Sequence, residues 1–327
     1  MMNNFAYAKA SSLAQASEWA NTTAADLSNG SEPVAEATLV KAGGVDLLDM
    51  MKENLLTPDR IVAIHRIEGH RGIAPEEIGC LVTLSELAEA ESLGAYTALR
   101  QACEHAATPQ IRRMATLGGN LMQRPRCPYF RSEYHHCLKK GGNTCFALNG
   151  PSELHAIFNN TTCAFVHASS IATALLAFDA TVVTNQRELP MDEFFVTPDQ
   201  AIDRENVMEA GELITSVRLN PTERVSAYQK TVPRDSYDWA MCDVAISAVR
   251  EENRLRDYRV VLGAVGPRPF RATAVEELLH DKALTARLIE QAGELATQGA
   301  TPLAGNAYKV PMLAATVRHV LEALASA

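Results

Sequence analysis

The sequence lacks clustered positive charge, long apolar runs and the paired cysteines of small zinc domains. Its 30 lysines and arginines are outnumbered by 39 aspartates and glutamates, which gives a formal net charge of −9. Nucleic acids and anionic membranes attract clustered Lys and Arg, so this balance argues against either as a partner. The most apolar run, residues 171–183, contains Asp179 and is too short to span a bilayer. We therefore expect no nucleic-acid binding and no membrane insertion.

The N-terminus has no positively charged start followed by an apolar stretch, so we expect no secretory signal peptide. The seven cysteines are an odd number. In a long chain without a secretory signal, an odd count favours reduced thiols or metal ligands over a framework of disulfides. At 327 residues the chain is long enough for two or three domains.

Hydrophobic patterning predicts an α+β arrangement. "ATLVKAGG" is typical of a strand that ends in a glycine pair, "VDLLDMMKENL" of a helix and "RIVAIHRI" of a further strand. Towards the C-terminus, "CDVAISAVR", the polar turn "EENR" and "LRDYRVVLGAVG" predict a β-hairpin. The last helix is predicted to begin at Pro311. Its buried stripe is expected at Leu313, Val317, Val320, Leu321 and Leu324. We place the main boundary between residues 221 and 225.

Two loops share one form, "KAGGVDLL" with Gly43 and Gly44 and "ATLGGNL" with Gly118 and Gly119. Glycines allow positive φ and close approach to the main chain, and free amides there form an anion-binding nest. The first pair also opens a helix, whose N-terminus favours an anion. The alternative for each loop is an ordinary turn. Neither loop matches the dinucleotide or P-loop patterns, so spacing alone does not identify a ligand.

Four of the seven cysteines lie in or just after one polar segment, residues 124–145. They are Cys127, Cys137, Cys145 and Cys163. Four thiolates brought together by loops can hold an iron–sulfur cluster, which tolerates varied spacing, and neighbouring Lys and Arg offset its negative charge. Free cysteine is also a common small core residue, which suits Cys80, Cys103 and Cys242. From the residues alone, cluster binding and idle thiols both stay open for the four.

Taken together, the chain resembles the FAD-binding medium subunits of the molybdenum hydroxylases, the group of xanthine dehydrogenase, aldehyde oxidoreductase and carbon monoxide dehydrogenase. "LVKAGGVDLLDMMK" is similar to the family's first FAD loop, "IRRMATLGGNLMQ" to its second, and "VVLGAVGPRPFRATAVEELL" to the centre of its C-terminal domain. The resemblance implies a two-part FAD-binding domain of the vanillyl-alcohol-oxidase/PCMH type over residues 1–222, with subdomains at about 1–58 and 59–222. Residues 223–327 are then a C-terminal antiparallel sheet with helices, of the CO dehydrogenase flavoprotein type.

The cysteine segment, 124–163, resembles an insert of the subgroup that carries a [4Fe–4S] cluster beside FAD, and most closely the bacterial three-subunit aldehyde oxidoreductases. Cys127, Cys137, Cys145 and Cys163 are then the cluster ligands. The implied function is electron transfer from a small [2Fe–2S] subunit through FAD to an external acceptor, beside a large molybdopterin-binding subunit. Location is expected to be cytoplasmic, or periplasmic by co-export with a signal-bearing partner subunit.

The resemblance also implies FAD contacts residue by residue. They are Lys41, Ala42, Gly43, Gly44, Val45, Asp46 and Leu47 in the first loop, Ala115, Thr116, Gly119 and Asn120 in the second, and beyond them Ser169, Leu213, Ile214 and Lys230. Val45 stands where Thr or Ser is usual, and Ser170 where Asp is expected. Each change removes one cofactor contact, while the glycines remain. No catalytic residue is expected, because the substrate reacts on another subunit.

Three alternatives remain at this stage. The complex can be of the xanthine, CO or hydroxybenzoyl-CoA type, since all share this medium-subunit plan. The chain can be a non-catalytic scaffold that has lost FAD, which Val45 and Ser170 favour. It can also be a binding module that zinc stabilises through the same cysteines.

Overall fold

The computed structural model describes residues 3–28, 34–74, 76–220, 223–234, 237–251 and 254–326. The helices are α1 (Leu13–Trp19), α2 (Ala24–Ser28), α3 (Val45–Lys52), α4 (Leu84–Glu89), α5 (Thr97–His105), α6 (Pro109–Arg112), α7 (Leu117–Leu121), α8 (Ser170–Leu176), α9 (Met191–Phe194), α10 (Thr273–Leu279), α11 (Ala286–Leu295) and α12 (Lys309–Ser326). The strands are β1 (Ala6–Lys9), β2 (Thr38–Lys41), β3 (Arg60–Ala63), β4 (Glu77–Gly79), β5 (Thr181–Thr184), β6 (Glu188–Pro190), β7 (Ile214–Arg218), β8 (Arg224–Thr231), β9 (Cys242–Glu251), β10 (Arg254–Gly263) and β11 (Phe270–Arg271).

The N-terminal part is a small parallel sheet with β3 in the centre. Its order is β1-β3-β2, with Ala6 and Thr38 both opposite Arg60. Ile61 and Val62 on the central strand are fully buried, as the apolar pattern of this segment predicts. Because β2 leads directly into α3, the first glycine loop lies at the carboxyl end of this sheet, where open parallel sheets bind ligands.

The second part is an antiparallel sheet of order β4-β7-β5-β6, packed on helices. Its core joins Val182 and Val217 from the sheet to Leu117 of α7 and Leu175 of α8. The most apolar run of the sequence, residues 171–183, forms most of the buried helix α8 and of the strand β5. The second glycine loop runs into α7, and Leu117 and Leu121 of this helix anchor it in the core.

The C-terminal part is an antiparallel sheet of order β11-β10-β9-β8, covered by α10, α11 and α12. The predicted hairpin is confirmed, since Arg254 pairs with Glu251 in β9 and β10, while its turn at 252–253 lies outside the described residues. The final helix begins at Lys309, two residues before the predicted Pro311. The predicted stripe is buried in full.

The inner face of the C-terminal sheet packs against the second part of the chain. Tyr228, Ala245 and Val261 belong to the same core as α8. The α+β fold class, with a two-part first domain and a C-terminal antiparallel sheet, is confirmed. The boundary at 222 and 223 stays a prediction, and residues 221–222 lie outside those described. Within the described ranges, no helix is both long enough and apolar enough to cross a membrane.

Candidate functional site

A cavity of about 360 Å³ opens where the three sheets meet. This volume is in the range of small-molecule sites. Most of the predicted cofactor residues line it, namely Lys41, Ala42, Gly43, Gly44, Val45, Asp46, Leu47, Ala115, Thr116, Gly119, Asn120, Leu213, Ile214 and Lys230. Residues as far apart in the sequence as Lys41 and Lys230 therefore line one cavity, which their separation in the sequence does not reveal.

The first glycine loop presents free main-chain amides to the cavity. Gly44 caps α3 with φ +79°, a left-handed conformation that glycine adopts without strain. Within the described part of the chain, no protein acceptor is recorded for the amides of Gly43, Gly44 or Val45. A Cβ on Gly43 would lie 1.9 Å from the carbonyl oxygen of Met114. Gly43 is therefore required for this loop to pack directly against the second one.

The second glycine loop differs from the expectation of free amides. The amide of Leu117 donates to Val82 O (2.8 Å), that of Gly118 to Cys80 O (3.0 Å) and that of Gly119 to Thr116 Oγ1 (3.2 Å). Of the two interpretations that the sequence left open, the ordinary turn and not the anion-binding nest fits this loop. Its backbone holds α7 against the segment between β4 and α4, and among the described residues of the two loops, three consecutive free amides occur in the first loop and not in the second.

Ser169 is the one predicted cofactor residue that does not line the cavity. Its hydroxyl caps α8 by accepting from the amide of Ala172 (3.0 Å), and it donates to Asn120 Oδ1 (2.5 Å). Asn120 and Ser170 both line the cavity. Ser169 thus lies one layer behind the wall and orients Asn120.

The C-terminal sheet places two polar residues near the cavity, Lys230 and Asp243, which are paired across β8 and β9. Lys230 Nζ donates to the carbonyls of His105 (2.6 Å) and Asp238 (3.0 Å), and burial lowers its pKa. Burial raises the pKa of the Asp243 carboxyl, although hydrogen bonds from Ser170 and Tyr228 oppose this. Asp243 does not itself line the cavity, but it is hydrogen-bonded to Ser170, which does.

Sequence reasoning missed the aromatic rim of the cavity. Tyr237, Asp238 and Trp239 line it, and none of the three is among the cofactor residues predicted from the sequence. Trp239 is half exposed, and the Arg126 guanidinium lies 4.4 Å from its ring centroid. Arg126 also lines the cavity, and its buried Nε has no hydrogen-bond partner among the described residues. The available sequence signal was the pair of aromatics Tyr237 and Trp239 in the polar segment just before the strand pattern "CDVAISAVR".

Two aspartates of α3 tie this cavity to the cysteine segment. Asp46 accepts from the amide of Arg124 (2.9 Å) and from Arg131 Nη2 (2.7 Å), and it pairs with Arg126 Nη2 (3.1 Å). Asp49 pairs with Arg126 and Arg131, each at 3.1 Å. Because Asp46 follows the first glycine loop by two residues, the segment before and after Cys127 is anchored to that loop.

Of the four predicted cluster cysteines, Cys145 is hydrogen-bonded to Cys163, and Cys127 lies within electrostatic range of Cys137 and Cys145. Cys80, Cys103 and Cys242 are buried elsewhere. A hydrogen bond from Cys163 lowers the pKa of Cys145 to about 6, with further donation from the amides of Ala164, Ala147 and Leu148. Burial raises the pKa of Cys127 to about 11, and its thiolate would repel those of Cys137 and Cys145. Among the described residues, no three His, Cys, Asp or Glu side chains are grouped closely enough for a single metal ion.

A buried group of two cations and one anion lies beside these sulfurs. Glu205 pairs with Lys139 (2.7 Å) and Arg124 (2.9 Å), and all three side chains are almost completely buried. Burial raises the pKa of the Glu205 carboxyl, but Arg124 and Lys139 outweigh it and hold that pKa below its usual value. The group carries one excess positive charge. The hydrogen bond to Cys145 and burial raise the pKa of Cys163, and the charge of Lys139 opposes that rise. An anion beside it is therefore stabilised.

Comparison with known families accounts for both halves of the chain. Residues 3–222 match the family described as "FAD binding domain in molybdopterin dehydrogenase". The chain belongs to the FAD-binding medium subunits of the molybdenum hydroxylases. Residues 226–324 match the "CO dehydrogenase flavoprotein C-terminal domain". The oxidoreductase and flavoprotein predictions are thereby confirmed.

Relatives of this medium subunit include the "Aldehyde oxidoreductase FAD-binding subunit PaoB" of Escherichia coli (strain K12), 31% identical over 293 residues that cover 86% of this chain and 89% of that protein. The "Carbon monoxide dehydrogenase medium chain" of Hydrogenophaga pseudoflava is 25% identical, with 86% and 87% covered. A solved carbon monoxide dehydrogenase from Hydrogenophaga pseudoflava superposes with a TM-score of 0.72 at 23% identity, with 99% of this chain and 98% of that chain covered. This last likeness shows the fold.

The cavity suits FAD on two observations of its own. Bare amides at the start of α3 are donors for pyrophosphate oxygens, and the dipole of that helix favours the negative charge. Arg126 Nε, which has no hydrogen-bond partner in the described part of the chain, is a further buried donor at the cavity wall. Val45 leaves the backbone donors of the loop unaltered, since they are main-chain groups.

Gly43→Ala is expected to weaken FAD binding about tenfold or more. Its methyl group would displace the backbone of Met114 and separate the two loops, and about 1.4 kcal/mol of lost binding energy already gives that factor. The measurement is flavin retained per chain, by visible absorbance, with a titration of added FAD. Gly72→Ala is the matched control, because a Cβ there meets nothing within 4 Å. Equal FAD affinity in the two variants would contradict the packing argument.

Glu205→Gln is expected to lower the free energy of unfolding by roughly 3 kcal/mol, because it leaves two buried cations without their anion. Chemical denaturation measures this. The Glu205 pKa is depressed, so its ion pairs stabilise the fold above the carboxyl's ordinary pKa, and that contribution is lost as pH falls through the depressed value. Glu290→Gln, which removes an exposed pair with Arg318, is the control and should change stability by less than about 1 kcal/mol.

Proposed function

We propose that this medium subunit carries FAD and a [4Fe–4S] cluster in a molybdenum-dependent aldehyde oxidoreductase. Its partners are a large molybdopterin-binding subunit and a small [2Fe–2S] subunit, and it passes their electrons to an external acceptor. The observation that carries the proposal is the position of Arg126. This residue lines the flavin cavity and directly precedes Cys127, so cluster and flavin are neighbours.

The chain's own residues hold the flavin, which when bound accepts electrons singly and releases them as a pair. The amides of Gly43, Gly44 and Val45 would bind the pyrophosphate. Leu213 or Ile214 would flank the isoalloxazine. Lys230, whose ammonium group donates to two backbone carbonyls, would lie near the polar edge of the flavin.

The cysteine segment suits a cluster of thiolate-bound iron, which when present transfers single electrons. Cys127, Cys137, Cys145 and Cys163 are the proposed ligands. Support comes from the backbone donors to the sulfurs of Cys127 and Cys145 and from the excess buried positive charge around Lys139. A cluster distributes its four thiolates over different irons, so it needs a wider spacing of sulfurs than a single ion does.

The aldehyde assignment is supported by the relative whose name states an aldehyde oxidoreductase, at 31% identity over most of both chains. Relatives named for carbon monoxide and for xanthine are 25% and 24% identical. The substrate pocket belongs to another subunit in this proposal, so the residues of this chain do not select the substrate.

Cys145→Ala is expected to reduce bound iron from about four atoms per chain to less than half of that, because the cluster loses a ligand. Elemental analysis of the purified chain measures iron and zinc together. Cys103→Ala is the matched control: Cys103 is a fully buried thiol in α5 whose pKa is raised by burial. Zinc without iron in the unsubstituted chain, or full iron in Cys145→Ala, would overturn the cluster assignment.

The assembled complex tests the function as a whole. Co-expression with the large and small subunits should give reduction of a dye acceptor at least about tenfold faster with aldehydes than with xanthine, CO or hydroxybenzoyl-CoA. The purified complex should show flavin bands and a broad iron–sulfur shoulder. Preference for one of the other substrates would move the assignment to that type, and a colourless medium subunit would favour a scaffold.

A further inference from the structure

The contact of His155 with Cys127 has no part in flavin binding or in ligation. His155 lies between the third and fourth proposed ligands in sequence, and it is 3% exposed. Its Nε2 is 3.2 Å from Cys127 Sγ. Its ring also packs near Tyr129, with centroids 5.9 Å apart. A buried imidazole is therefore held against one sulfur of the proposed cluster.

The backbone of His155 is held by the C-terminal part of the chain. Its carbonyl accepts from Asn306 Nδ2 (3.0 Å) and Lys309 Nζ (3.1 Å), and its amide donates to Ser152 O (3.1 Å). Lys309 itself is completely buried at the start of α12. The imidazole is thus positioned by three hydrogen bonds to the His155 backbone, two of which come from side chains of the C-terminal part of the chain.

The chemistry of the sulfur decides the direction of this hydrogen bond. A cysteine bound to iron is a thiolate and has no proton, so only the imidazole can donate, from Nε2–H. The other ring nitrogen, Nδ1, is buried and makes no hydrogen bond of ordinary geometry among the described residues. It therefore does not hold the ring proton, which is free to lie on Nε2.

We propose that His155 is a positioning residue that donates a hydrogen bond to the Cys127 sulfur and raises the reduction potential of the cluster. Reduction adds negative charge to the sulfurs, so a donor stabilises the reduced form more than the oxidised form. The amides of Tyr129 and Phe130 also donate to this sulfur, but they are main-chain groups. His155 is the donor that a side-chain substitution removes. This inference rests on the proposed cluster.

An EPR-monitored redox titration of the full chain in its complex tests this. In His155→Phe, which keeps an aromatic ring beside Tyr129 and removes the donor, the ratio of reduced to oxidised cluster at a fixed potential should fall about tenfold. That fall equals about 59 mV for a one-electron couple. His155→Gln, whose amide N–H reaches similarly far, should restore most of the ratio. The flavin potential, read in the same titration, should not change.

His135→Phe is the matched control. His135 belongs to the same aromatic group, with its ring 5.2 Å from that of Tyr129, but its Nδ1 bonds Ser132 Oγ at 3.1 Å instead of a sulfur. It should leave the cluster potential unchanged. A lower potential in His155→Phe with recovery in His155→Gln supports the inference, and an unchanged potential in His155→Phe overturns it.

Should His155→Phe fail to assemble the cluster, His155→Gln and His155→Asn carry the test, because Asn is one methylene shorter and does not reach the sulfur. A lower potential in the Asn variant supports the inference, and equal potentials overturn it. Absence of iron from the unsubstituted chain is a different result. It removes the proposed cluster, and with it the thiolate on which the direction of this hydrogen bond depends.

Discussion

The carboxylate of Asp46 is the interaction on which the arrangement of the site depends. It follows the first glycine loop on α3 and pairs with Arg126 and Arg131, on either side of Cys127. One side chain thus joins the loop that presents free amides to the segment that presents sulfur. Because these pairs are less than one-fifth exposed, solvent screens them less than it would a surface pair. The distance between the two proposed cofactor sites is thereby set by the fold.

The cysteine segment is held from its other end by the C-terminal part of the chain. The amide of Ile157 donates to Val265 O (2.9 Å), and Asn160 Nδ2 donates to Thr301 O (2.7 Å). The C-terminal sheet also supplies the aromatic rim of the cavity and Lys230. This sheet therefore contributes to both proposed sites. It is held in place because it shares a hydrophobic core with α8. Loosening it is expected to affect flavin and sulfur positions together.

Much of this architecture could be predicted from the sequence. Local sequence patterns predicted the hairpin of β9 and β10, the buried stripe of the last helix and the positions of the two glycine loops. Each of these features depends on residues that are neighbours in the sequence. For the second loop, the sequence left an anion-binding nest and an ordinary turn both open, and the acceptors Val82 O and Cys80 O, which come from a preceding segment, decide for the turn. The aromatic rim of the cavity was not predicted for the same reason, because Trp239 contacts Arg126 only in the folded chain.

The sequence by itself determined which residues are available, namely the glycines that allow close backbone approach and the four cysteines of one polar segment. Only the tertiary structure decided their surroundings. Asp46 and Arg131 are 85 positions apart, and Cys127 and His155 are 28 apart, yet each pair is within hydrogen-bonding distance. No periodicity connects such pairs, because they arise where separate elements pack. Tertiary packing therefore decides which groups donate to a sulfur and which amides are left free for a ligand. The sequence decides only that cysteines and glycines are present at those positions.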